Sequence, residues 1–138
     1  MVAYYPEAVP VLLRVILGVI FVIHGWPKIK DFDSTKKFVA SMGFVPAGLW
    51  AFLLAVTEFF GGILLLAGFA TRIISILLIF SMLVALYMNI FVWKRPFKSG
   101  WELDLLIIIC LASVLFLGSG AYSIDSIFNW KIFGWNLG

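Results

Sequence analysis

Charge is scarce in this sequence. Ten Lys and Arg and seven Asp and Glu, 12% of 138 residues, leave too little to solvate the surface of a water-soluble domain, in which about a quarter of residues are charged. That scarcity argues against a soluble enzyme, a disordered chain and a nucleic-acid-binding module. Cysteine is present once, as Cys110, so an internal disulfide and a CxxC relay are excluded. Histidine is also present once, as His24, which excludes bis-histidine haem ligation and offers no Cys/His cluster for a metal. No glycine-rich phosphate cradle occurs, since Gly61 and Gly62 fall mid-span and Gly118–Gly120 lacks a following Lys. The chain is therefore expected to hold no metal and no cofactor of its own. Any redox chemistry would need a diffusible membrane carrier, with quinone the candidate, or a cofactor in a partner subunit.

The rest of the composition is apolar. Hydrophobic residues make up 64%, aromatics 17%, and the mean hydropathy is +1.13. Crossing a hydrocarbon core of about 30 Å takes roughly 20 mainly apolar residues in a helix. Four stretches meet that length, near residues 6–24, 49–69, 73–93 and 101–118. They are continuous runs without strict alternation, which argues against barrel strands. The expected architecture is all-α: one transmembrane domain over residues 1–138, a four-helix bundle in contact with the lipid bilayer, with an interfacial tail at 119–138. The first stretch has no basic residue before Arg14 and ends in HGWPK, so it is expected to be a retained helix and not a cleaved signal.

Orientation is read from the basic residues. Lys28, Lys30, Lys36 and Lys37 lie in loop one, and Lys94, Arg95 and Lys98 in loop three, against Arg72 and Lys131 on the other face. Seven against two predicts loops one and three in the cytoplasm and both termini outside. Trp26, Trp50, Trp93 and Trp101 then share one interface, and Tyr4, Tyr5, Trp130 and Trp135 the other. Within loop one, Phe32, Phe38, Val39 and Met42 fit a short amphipathic helix capped by Asp33 or Ser34.

Each charge inside a span costs roughly 2.5–3.5 kcal/mol to insert and so calls for a partner or a role. Arg14 precedes His24 by ten residues and Glu58 follows Gly48 by ten. If His24 and Gly48 mark the same interface, both charges lie about 15 Å deep and are expected to face each other. Arg14 shares a stripe with Gly18, Phe21 and Gly25, and Glu58 with Ala51, Ala55, Gly61 and Gly62, so both should point into the bundle. Such a pair either latches two helices or lines a cavity or proton path. Glu102 aligns with Leu106, Ile109 and Ser113 and is expected to point inward, leaving Asp104 to reach the interface. Arg14, His24, Lys28, Glu58 and Glu102 are thus the candidates for ligand binding or proton handling. Arg72 and Asp125 are expected to pair on the outer face, and Asn89 to act as interhelical glue.

LLRVILGVIFVIHGWPKI in the first span, GFVP before the second, EFFGGILLLAGFATR, a Glu opening the fourth span and GSGAYSID after it together resemble the DoxX/DoxD-like membrane proteins from Val11 to Asp125. The family pattern falls on Arg14, Gly18, His24, Gly25, Lys28, Gly43, Pro46, Glu58, Gly61, Gly62, Thr71, Arg72, Glu102, Gly118, Ser123 and Asp125, while Asn89 and Asp104 lie outside it. The resemblance implies a four-helix protein of a prokaryotic plasma membrane. Some members are subunits of thiosulfate:quinone oxidoreductases, and others are linked to oxidative-stress or amine-oxidation complexes. Three roles are expected in turn: a quinone- or sulfur-linked oxidoreductase subunit, a non-catalytic accessory subunit, or a small solute or proton pathway. Partner subunits or further copies of the chain are expected, and nucleic acid is not.

Overall fold

The computed structural model describes residues 8–128 together with the backbone of 131–132 and 135–136. The described residues form six α-helices: α1 (Ala8–Lys30), α2 (Phe32–Ser41), α3 (Ala47–Ala67), α4 (Thr71–Tyr87), α5 (Glu102–Leu117) and the short α6 (Ile124–Phe128). A wide turn over Met88–Val92 extends α4, and an irregular turn over Phe97–Trp101 leads into α5. Beyond α6, Lys131–Ile132 pairs antiparallel with Trp135–Asn136, a two-residue ladder that leaves the all-α class unchanged. The rest of the expected interfacial tail, from residue 129, lies outside the described residues, as do Tyr4, Tyr5 and Trp130.

Among the described residues, four stretches are long and apolar enough to cross a membrane: Ala8–Lys30, Ala47–Ala67, Thr71–Val92 and Phe97–Leu117. α1 packs on α3, α3 on α4, α4 on α5, and α5 back on α1, which closes the ring. Its centre holds Leu17, Phe21, Leu65, Leu78, Leu111 and Val114. The opposite faces expose Leu12, Ile16, Ile23, Phe52, Phe80, Leu106, Ile109 and Phe116. An apolar outer surface is what hydrocarbon solvates, so this exposure belongs to the same design as the core.

Glycine sets how closely α1 and α3 approach. A Cβ at Gly25 would stand 2.5 Å from Phe59 N, and one at Gly62 would stand 2.8 Å from Val22 N. At Gly18 it would meet Leu66 Cγ at 2.6 Å and Gly62 O at 2.8 Å. These contacts fix an antiparallel register: Gly25 lies opposite Phe59, Gly18 opposite Gly62 and Leu66.

Where α1 ends departs from expectation. α1 continues six residues past His24 to Lys30, with Pro27 inside it. A proline three residues from the end removes a single backbone donor. The last carbonyls find donors at the start of the next helix: Asp31 N–H donates to Pro27 O at 2.9 Å, and Thr35 Oγ1 to Lys28 O at 3.1 Å. Arg14 therefore lies about 24 Å from the loop-one end of α1. α2 then turns back over α3, with Thr35 and Val39 buried beneath it. Its cap is Asp31, whose Oδ1 accepts from Ser34 N–H at 3.1 Å, not Asp33 or Ser34 as expected from sequence.

Candidate ligand and proton-handling site

Glu58 is buried at the middle of α3, on one stripe with the small residues Ala51, Ala55, Gly61 and Gly62, which are buried with it as expected. Its partner is Lys28: Nζ donates to Glu58 Oε2, the one ion pair among the described residues. The expected Arg14–Glu58 pair does not form. With α1 nearly two turns longer than its His24 end suggested, Lys28 and not Arg14 comes level with Glu58. The Lys28 side chain is 27% exposed and that of Glu58 7%, so the pair runs from the loop-one surface into the bundle. On the far side, Ser81 Oγ of α4 lies 3.5 Å from Glu58 Oε1.

Ser81 also lines a cleft of about 290 Å³ between α2, α3 and α4, whose walls include Val39, Phe44, Trp50, Leu54, Thr57 and Phe80. The rings of Trp50 and Phe44 meet at a tilt of 49°, with centroids 5.5 Å apart. The cleft is apolar apart from Thr57 and Ser81, so it offers a lipid-soluble molecule a greasy chamber with a hydroxyl that touches a buried carboxylate.

Arg14 serves the other end of the bundle. Its Nη1 donates to Leu66 O at 2.7 Å and its Nη2 to Tyr122 O. Asp125 accepts from Ala70 N–H at 2.7 Å, Thr71 N–H at 2.9 Å and Thr71 Oγ1 at 2.8 Å. A guanidinium thus meets the carbonyl end of α3 while a carboxylate caps the amide end of α4, the two signs a helix dipole favours. Asp125 N–H donates to Gly68 O at 2.9 Å, which ties the segment after α5 into the same clasp. Gly68 itself needs its missing side chain: φ is +66°, and a Cβ would stand 2.5 Å from Arg14 Nη1. The expected Arg72–Asp125 ion pair is absent, because the α4 amides, Thr71 and the nearby Arg14 already occupy Asp125; Arg72 Nε is buried without a hydrogen-bond partner.

Two further expectations are corrected at the start of α5. Glu102 does not point inward: its Oε1 accepts from Ser99 N–H at 2.9 Å and closes the irregular turn ahead of the helix. Leu106 and Ile109, on its stripe, are 56% and 55% exposed. Asp104 is the inward residue, on the stripe of buried Ile107, Leu111 and Val114, and it accepts from Asn89 Nδ2 at 2.5 Å. Asn89 thereby links α4 to α5, the interhelical role expected of it. His24 is exposed on α1, and no hydrogen bond or ion pair joins it to Lys28, Glu58 or Glu102. Of the five candidates, the structure brings together Lys28 and Glu58. Sequence reasoning missed Ser81, whose only signal was a hydroxyl on a largely apolar span that also carries Ser75 and Asn89.

These features define a small four-span membrane protein with one charged pair enclosed beside an apolar cleft and a polar clasp at the opposite end. The chain belongs to the DoxX family, whose model matches residues 9–92. α2 to α4, all of α1 but its first residue and the Lys28–Glu58–Ser81 row lie within that stretch, and α5 and Asp125 beyond it. The chain is 33% identical over 114 residues to "Putative oxidoreductase CatD" of Bacillus subtilis, covering 83% of this chain and 82% of the relative. It is 33% identical over 132 residues to "Inner membrane protein YqjF" of Escherichia coli, covering 91% and 96%. "Inner membrane protein YphA" of Escherichia coli is 39% identical over 79 residues, 55% of this chain and 56% of the relative. No solved structure matches the chain.

Proposed function

We propose that this protein is the membrane-embedded subunit of an oxidoreductase system in a prokaryotic inner membrane, and that a lipid-soluble electron carrier of the quinone class docks in the cleft between α2, α3 and α4. One observation carries the reading: the one ion pair of the described bundle, with its carboxylate buried, reaches through Ser81 the wall of an apolar cleft. Charge in a bilayer interior is costly, and a pair placed against a ligand-sized chamber has a use beyond joining two helices. The relative named as an oxidoreductase and the two named as inner membrane proteins support the class and the location. Electrons are supplied by a redox centre in a partner subunit. Loops one and three face the cytoplasm on this reading.

The accessory-subunit reading draws on a different observation. The apolar segment of Phe97–Leu117 is 17% buried, against 33% for each of the other three spans. That leaves α5 the most open face for another subunit. Isolation of the tagged chain from native membranes in a mild detergent, followed by lipid extraction, separates the two. The expected result is a complex that contains quinone and loses it in Glu58→Gln. A complex that forms normally but never carries quinone would favour the accessory role.

A further inference from the structure

The Lys28–Glu58 pair is open at both ends. Lys28 reaches the loop-one surface with about a quarter of its side chain exposed, and Thr35 of α2 holds the backbone beneath it by bonding Lys28 O at 3.1 Å. Glu58 is buried, with Lys28 from α1 on one oxygen and Ser81 from α4 on the other. Ser81 in turn lies on the cleft wall. Three groups that each hold and release a proton thus run in line from an exposed surface to an apolar chamber, and each comes from a different helix. A latch between α1 and α3 would need Lys28 and Glu58 alone. A hydroxyl 3.5 Å from the carboxylate, at the edge of hydrogen-bonding reach, is a contact that a small shift or a ligand oxygen tightens.

We propose that Lys28, Glu58 and Ser81 form a proton row between the loop-one surface and the cleft, with Ser81 the group that passes the proton to a carbonyl oxygen of the bound quinone. The proposal rests on the cleft being the quinone's place. The Lys28 ammonium gives its proton to the Glu58 carboxylate, and the Glu58 carboxyl passes one to Ser81 as the Ser81 O–H bond breaks and an O–H bond forms on the ligand. Ser81 keeps its hydroxyl by taking the Glu58 proton in the same motion, and the Lys28 amine is reprotonated from water. Two passages, with two electrons from a two-electron donor centre in the partner subunit, convert quinone to quinol. The reverse passage serves quinol oxidation. Ser81 touches the substrate, whereas Lys28 and Glu58 act through it.

The test uses the full chain in lipid nanodiscs with decyl-benzoquinone as the probe. Trp50 lines the cleft, so the quinone is expected to quench tryptophan fluorescence, and Trp50→Phe to remove most of that quenching. Ser81→Ala is expected to weaken binding about fivefold, the loss of one neutral hydrogen bond. At saturating quinone, reduced electrochemically through a soluble mediator, Ser81→Ala is expected to slow the appearance of quinol bands about a hundredfold, the order of a lost positioned proton donor. Ser81→Thr is expected to restore the rate. The infrared carboxyl change that accompanies reduction should vanish in Glu58→Gln and diminish in Ser81→Ala. Wild-type rate and carboxyl signal in a saturated Ser81→Ala would overturn the proton row and leave the cleft standing. Quenching that does not depend on Trp50 would overturn the quinone reading of the cleft, and the row with it.

Discussion

Asp125 answers two backbone amides and a threonine hydroxyl at the start of α4 and lies close to the Arg14 guanidinium. Removing it leaves the α4 amides uncapped and Arg14 without a counter-charge, so Asp125→Ala is expected to destabilise the fold by about 3–5 kcal/mol. Chemical unfolding in detergent micelles would show it, with Asp125→Asn recovering part of the loss because an amide oxygen still accepts. That Arg14 points inward was legible from Gly18, Phe21 and Gly25, all of them buried with it. Its partner was not, since depth counted from His24 depends on a helix end that Pro27 disguises. Glu102 and Asp104 fail for another reason. Both faces of α5 are apolar, one because it meets lipid and one because it meets the core, so hydropathy does not say which carboxylate turns inward.

The helices themselves are held together by an absence of side chains. Gly25→Ala drives a methyl to within 2.5 Å of the α3 backbone at Phe59, where nothing can yield without moving a helix. The cost is expected to be about 1–3 kcal/mol, the usual range for overpacking. Gly61→Ala makes a useful contrast: its methyl would meet Leu78 Cδ2 at 3.3 Å, the end of a flexible side chain. Thermal melting of the two variants in one detergent should therefore show a clear drop for Gly25→Ala and a small change for Gly61→Ala. The α1–α3 seam was visible in sequence as small residues on the charged stripes. Its register was not, because sliding α1 by one or two turns leaves small residues facing small residues. The close contacts of Gly18, Gly25 and Gly62, with Lys28 against Glu58 and Arg14 against the end of α3, show which register holds.

At the scale of the whole molecule, the seven basic residues at the loop-one and loop-three end of the bundle, against two on the other face, predict an orientation that a cysteine-free background makes testable. With Cys110→Ser as parent, Lys37→Cys and Lys98→Cys are expected to react with an impermeant maleimide in inverted vesicles and not in intact spheroplasts. The reverse pattern would place both loops outside, with the Lys28 end of the proton row. The number of spans and the all-α class were determined by sequence alone, because hydrocarbon tolerates no unpaired backbone and long apolar runs have one way to satisfy it. The sequence also marked which charges were out of place, since each ionisable group in a span carries an insertion cost that composition exposes. Which of those charges meet was decided only by the tertiary structure. Pairing depends on helix ends, helix rotation and interhelical register, and in a chain apolar on every side those are set by packing at a few glycines and by which buried charge finds a partner at its own depth.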